Sequence, residues 1–435
     1  MKPLPLALDD LPPFRVPLRF FLTAPLFGVL AGIVVIVEGE TVFASRWSPA
    51  LIGATHLLTL GWLAMVMIGA LFQVVPVLSG RGIPAAARVA APVHLALTLG
   101  TLGLAYGLVA SSPNLVALGL GGLLAAFLLF GGLLAWRVLR PSRGGGALVT
   151  IRFAVLALFA TVALGAWMAA GIAWPSLGIP YRASTDSHAR FGLFGWVLLL
   201  VMGVSQQVVP MFHVTPPFPA AIARGCGVTV FGGLILLATS DARLAVVIGA
   251  SATASASLAW AIALLAVLAK RKRRRTDATV RAWQLACWVL IGTAPIAWQI
   301  AVVPDLPISF VARHQQALLL GVLVVLGFCV TVVLGMLQKI VPFLAFTHLQ
   351  RRALKNPAAI PLLPAMEDFV STRTATIQIA IHATAIALTI AAAFEPAVAR
   401  AAGAALCVDF AFCAVNLTRA ALRYRRVVAS VAERE

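Results

Sequence analysis

The sequence predicts an all-α integral membrane protein: twelve transmembrane helices in three four-helix repeats about a pseudo-threefold axis, with both termini cytoplasmic. Three observations predict it. Apolar residues make up 61% of the 435-residue chain and charged residues 11%, with a mean hydropathy of +0.99. A short pattern of glycine, a polar residue and proline occurs three times at nearly even intervals. Lysine and arginine crowd onto alternate loops.

The uncharged apolar runs reach or exceed the roughly 20 residues that cross a bilayer. Twelve spans are read near 19–37, 50–78, 90–110, 114–139, 150–173, 187–213, 220–239, 243–269, 282–303, 311–346, 374–394 and 396–417. No water reaches the hydrocarbon, so each backbone group needs an internal partner and the spans must be helices. No stretch reads as a soluble domain. The whole chain, 1–435, is one membrane domain, with repeats near 15–140, 150–270 and 280–426.

The pattern sits on the second, sixth and tenth spans. It comprises Gly61, Gly69, Gln73 and Pro76; Gly195, Gly203, Gln207 and Pro210; and Gly327, Gly335, Lys339 and Pro342. The prolines lie 134 and 132 residues apart, and such self-similarity is the mark of a reused unit. The second glycine and the polar residue are four apart and share a helix face. Glycine lets membrane helices approach closely, and glutamine bonds across them. Gln73 and Gln207 therefore read first as packing residues, and the proline as the helix end near the cytoplasmic interface. Lys339 is costly at depth unless it snorkels or faces a wet interior.

The net charge of +19 suggests nucleic acid only until its placement is examined. With the N-terminus inside, 27 of the 33 Lys and Arg fall on the cytoplasmic side and 6 outside. That is the positive-inside bias of a membrane protein, and no nucleic-acid partner is expected. The first twenty residues are not a cleavable signal peptide, because acids and prolines interrupt any apolar core. Five cysteines without a Cys-x-x-Cys read as reduced, small hydrophobes. The stretch 347–373 reads as an extended cytoplasmic loop.

Histidines carry the chemistry. His56, His188 and His314 precede the three prolines by 20, 22 and 28 residues, about 30–42 Å along a helix. They stand near the periplasmic ends of equivalent spans. Neutral imidazole is a good iron ligand, and two can hold a low-spin haem between helices; an interfacial hydrogen-bonding role is the alternative. His94, His213, His348 and His382 favour that alternative. On ideal helices His188 nearly shares the face of Gly195 whereas His56 points away from Gly61, so the three are not interchangeable. Asp409 lies inside the last span and is read either as a proton relay or as a partner to a neighbouring polar group. Glu38 and Glu40 are solvated. No phosphate loop, nucleophile elbow or catalytic carboxylate pair occurs.

The stretch from Thr55-His56 through Gly61-Trp62 to Gln73-Val-Val-Pro76, with twelve spans in three groups of four, resembles the haem–copper oxidase subunit I superfamily. It looks most like the second helix of the nitric oxide reductase large subunit, and the segment 17–25 is similar to NnrS-type proteins. In that family the corresponding histidine is an axial ligand of haem b. The resemblance implies a haem b held by His56, paired with His314 by analogy or with His188 by proximity, and with Arg182, Arg190 and Arg313 available to the propionates. The chain departs from the family in lacking His-x-His at Arg313-His314-Gln-Gln, a Tyr or Glu after His188, and any histidine in 220–239. The departures imply no copper and no binuclear centre, which leaves enzymatic activity open and leaning against. The expected function is electron transfer, response to nitric oxide or haem, or maturation of a respiratory complex in the bacterial inner membrane. Expected partners are a respiratory or denitrification complex or a c-type cytochrome. The alternatives are a transporter using a polar path past Gln73, Gln207, Lys339 and Asp409, or a haem-free assembly scaffold.

Overall fold

The computed structural model describes residues 12–80, 82–140, 145–272, 277–304, 311–354 and 357–432, with only the backbone described at 313, 314, 357–359 and 432. Among them there is no β-strand, and twelve helices are long and apolar enough to span a membrane. They are α1 (Arg15–Phe43), α2 (Pro49–Ser79), α3 (Ala86–Val109), α4 (Pro113–Val138), α5 (Gly146–Ala173), α6 (Tyr181–His213), α7 (Ala220–Thr239), α8 (Arg243–Ala269), α9 (Ala278–Val302), α10 (Gln315–Ala353), α11 (Thr372–Phe394) and α12 (Pro396–Val431). The chain is a multi-pass membrane protein whose outer surface meets lipid.

Burial separates the helices into two classes. In α2, α6 and α10 the apolar core window is 78%, 67% and 72% buried, against 28–50% in the other nine. The pattern-bearing helices are therefore the interior. The other nine close a ring around them in the order α1, α3, α4, α5, α7, α8, α9, α11, α12 and back to α1. Side chains such as Leu95, Leu118, Trp167 and Trp288 point outward into lipid. Small residues set the tightest contacts, since lipid tails give helices no hydrophobic reason to associate and packing must do it. A Cβ on Gly28 of α1 would fall inside the Phe410 ring of α12. Inside, Trp62 meets Phe410 edge-on at 4.9 Å, and Trp260 of α8 contacts both Trp283 and Phe328.

Two features depart from the sequence reading. The prolines do not end their helices: Pro76, Pro210 and Pro342 all lie inside continuous helix. Proline removes one amide and crowds the carbonyl four residues back, a defect that membrane helices tolerate when neighbours satisfy the freed group. α10 continues to Ala353, and short 3-10 turns at Pro357–Leu362 and Met366–Asp368 occupy what reads as extended loop.

The inner helices also do not follow ideal α geometry. Each contains an eight-residue π-helical segment, at Leu57–Ala64, Phe191–Leu198 and Leu323–Val330. Every one of them ends 12 residues before its proline. Each holds the first glycine of the pattern followed by an aromatic residue: Gly61-Trp62, Gly195-Trp196 and Gly327-Phe328. The segment in α10 packs against those of both α2 and α6. A widened turn takes one more residue than an α turn and rotates everything beyond it, and such turns concentrate at functional sites.

Candidate functional site: a histidine pair beside the widened turns

His56 immediately precedes the widened segment of α2, and His188 lies three residues before that of α6. Their imidazole rings lie side by side in the fold, with centroids 6.2 Å apart and planes 24° from parallel. Each ring is oriented by one backbone carbonyl. His56 Nδ1 donates to Ile52 O at 2.8 Å, one turn back on its own helix. His188 Nδ1 donates to Thr161 O of α5 at 3.0 Å. Fixing the proton on Nδ1 leaves the Nε2 lone pair of each ring free, which is how ligating histidines are prepared.

A small residue gives the His188 ring room. A Cβ on Gly165 of α5 would stand 2.9 Å from His188 Cε1, so glycine at that position admits the imidazole. The helix carrying His56 packs on α1 and α3, whereas that carrying His188 packs on α5 and α7. The two rings thus meet across the seam between two groups of outer helices. Above them the loops are tied together: Arg46 pairs with Asp186, and the Arg46 and Arg182 guanidiniums lie 4.8 and 5.4 Å from the Trp47 ring centroid. Arg190, two residues after His188, is half-buried and bonds none of the described groups. The side chains of Arg313 and His314 lie outside the described residues.

The four polar-path candidates are engaged separately. Gln73 donates to Pro12 O at 3.1 Å, and Gln207 is exposed. Lys339 bonds Asp277 Oδ2 at 2.9 Å, while the other oxygen of Asp277 caps α9 through the Val280 amide at 3.0 Å. Burial pushes the Asp277 carboxyl up, but the Lys339 hydrogen bond and charge, the Val280 N–H and the His213 charge together hold it below its ordinary value. Lys339 is half of an ion pair.

Asp409 belongs to a closed network of fully buried groups. Its Oδ2 is 2.6 Å from His382 Nδ1 on α11, and its Oδ1 accepts from Gln378 Nε2 at 2.6 Å. His382 Nε2 is 3.0 Å from Thr331 Oγ1 on α10, and Thr331 donates to Leu326 O at 2.9 Å. His382 and Asp409 side chains are both 0% exposed. The remaining histidines are hydrogen-bonded near helix ends (His94 to Thr23, His348 to Leu344 O) or buried, as His213 is.

Thr161, Gly165, Thr331 and Gln378 were not singled out from sequence. Two signals pointed toward them. Gln378 and His382 are four apart on one helix face, and the glycine–aromatic dipeptide recurs in all three inner helices. Among the described residues no three His, Cys, Asp or Glu side chains converge as a metal-ligating group, and all five cysteines are free.

Neither the family models nor the curated protein sequences contain a match to this chain.

Proposed function

We propose that this protein holds a haem b between His56 and His188 and serves electron transfer, nitric oxide or haem response, or maturation of a respiratory complex. The observation that carries the reading is the ring separation. The centroids lie 6.2 Å apart, and each Nδ1 is committed to a backbone carbonyl, so the Nε2 atoms of His56 and His188 are the ones that would hold the iron. Of the two pairings left open by the sequence, this favours His188 over His314. A haem bound there supplies a one-electron redox centre near the outer face. The protein's part is orientation: Ile52 and Thr161 carbonyls hold the rings, Gly165 leaves space, and Arg190 offers a guanidinium to a propionate.

The same reading places three repeats of four helices around the inner trio. It is supported by widened turns at one fixed offset from three prolines, and by a ring to which each repeat contributes three consecutive helices. The charge bias supports cytoplasmic termini in a bacterial inner membrane. The partners that follow are a membrane respiratory or denitrification complex or a c-type cytochrome.

Visible spectroscopy of protein purified from haem-replete cells tests this. The expected result is a Soret band with sharp reduced α and β bands, lost in both His56→Ala and His188→Ala. Colourless wild-type protein ends the haem reading. If colourless protein carries stoichiometric copper or zinc, the pair holds a bare ion instead.

A further inference from the structure

The buried network around Asp409 accommodates two proton counts with the same bonded partners. Thr331 owns one hydroxyl hydrogen and has two acceptors within reach, the Leu326 carbonyl at 2.9 Å and, when that nitrogen is bare, His382 Nε2 at 3.0 Å. With the hydrogen on Leu326 O, the hydroxyl offers a lone pair to His382 Nε2, which then carries a hydrogen of its own. The 2.6 Å contact on the other side of the ring, between Nδ1 and Asp409 Oδ2, needs a second one. In that arrangement the pair holds one proton more than a neutral imidazole beside a carboxylate and is neutral overall; with the hydroxyl hydrogen on Nε2 it holds one fewer. A neutral pair is what hydrocarbon favours, since an unpaired buried charge is heavily penalised.

A groove reaches toward this pair. It has a volume of about 560 Å³ and is lined by Asp368, Ser371, Thr374, Asn416, Arg419 and Arg423, among others. It opens on the face that the charge bias assigns to the cytoplasm. Thr374 is one helical turn, about 6 Å, from Gln378, and Asn416 is two turns, about 10 Å, from Asp409. Gln378 bonds both the carboxylate and the backbone carbonyl of Asp409, so the pair's polar neighbour on the groove side stands one helical turn from the lining residue Thr374.

We propose that His382–Asp409 is an exchangeable proton site inside the membrane, loaded through this groove and coupled to the widened turn of α10. Unloading removes one proton to the groove and changes no bond other than N–H or O–H. The imidazole keeps its Nδ1 hydrogen toward the carboxylate and loses the one on Nε2. Thr331 then turns its hydroxyl to donate to Nε2, and Leu326 O loses that donor. Leu326 lies in the segment of α10 that packs against the widened turns of α2 and α6. The proton is therefore read as the presence or absence of one hydrogen bond at the helix interior, and the site does not depend on any cofactor.

The titratable groups on the elements packed around the pair are accounted for. Cys407 and Cys413 share α12, Cys329 lies in α10 and Cys287 in α9. Lys339 is engaged by Asp277. Arg15, Arg19, Glu38 and Glu40 of α1, Arg281 of α9, Arg373 of α11, Arg400, Tyr424 and the 419–426 arginines of α12, and His348, Arg351 and Arg352 of α10 stand toward helix ends. None of the described groups among these bonds to either member of the pair.

The test is infrared pH-difference spectroscopy on full-length protein in lipid, with wild type labelled by [4-13C]aspartate and compared with Asp409→Asn and His382→Gln. The expected result is a pH-dependent carboxylate-stretching band that shifts with the label and disappears in both variants. If the variants fail to fold, the isotope shift in wild type decides alone. Asn416→Leu, which plugs the groove floor, is expected to slow deuterium exchange of that signal at least tenfold. A signal that does not titrate in wild type overturns the proton site, and an unchanged exchange rate in Asn416→Leu overturns the groove as its entrance.

Discussion

Gly165→Ala is a substitution on a lipid-ring helix that acts on the inner histidine pair. The added methyl would stand 2.9 Å from His188 Cε1 and 3.3 Å from Nδ1. Carbon atoms rest at about 3.5–4.0 Å, so the imidazole must retreat by roughly 0.6–1 Å. The 3.0 Å bond to Thr161 O then lengthens past about 3.5 Å and ceases to orient the ring. Loss of an orienting carbonyl behind a ligating histidine weakens metal binding by about 10–100-fold, or about 1.4–2.8 kcal/mol. Crowding itself costs the folded protein about 1–3 kcal/mol. The assay is haem per protein and the reduced spectrum, with thermal stability of haem-free protein as a second reading. Gly121→Ala is the control, since nothing stands within 4 Å of the methyl it adds. If Gly165→Ala binds haem like wild type and melts like the control, the orientation argument fails.

Asp277→Asn breaks the Lys339 pair. Because the folded carboxyl sits below its unfolded value of 3.8, its stabilisation is present above about pH 4 and lost as acid carries the pH through the folded pKa. Melting temperature should therefore fall on acidification in wild type more steeply than in the variant, and parallel profiles would contradict the pairing. Gly28→Val should abolish folded yield by driving a side chain into Phe410; normal size-exclusion behaviour would show that α1 and α12 can separate. Arg46→Ala removes a largely exposed pair and should change stability by less than about 1 kcal/mol, less still at high salt. A larger loss, measured by chemical denaturation, would mean that the outer loops brace the helices beneath them.

The membrane class, the number of spans and the choice of inner helices were legible because each rests on composition or on a repeated residue at fixed spacing. Gly61, Gly69 and Pro76 and their counterparts mark the helices that the structure buries most. The orientation of the histidines was not legible, since it was judged on ideal α-helices. A π segment between each histidine and its proline breaks that assumption. The two-residue difference between the His56 and His188 offsets, about 200° of α-helix rotation, works against a site of three alike residues. It suits two rings lying side by side on neighbouring helices. The Asp409 network was half legible: an acid at that depth demands a partner, but which of the distant polar groups supplies it is decided by tertiary packing of α10, α11 and α12. Lys339 hid its partner for the same reason, since Asp277 is 62 residues away.

The widened turns divide each inner helix into two independently aimed halves. Removing one residue from such a turn restores ordinary pitch and swings the outer half by about 100°, while the glycine-and-proline half keeps its seat. A chain built this way can re-aim its outer side chains by single-codon insertions and deletions without disturbing the inward packing. That makes these three short stretches the places where a one-residue change redirects the side chains beyond them at least cost to the core.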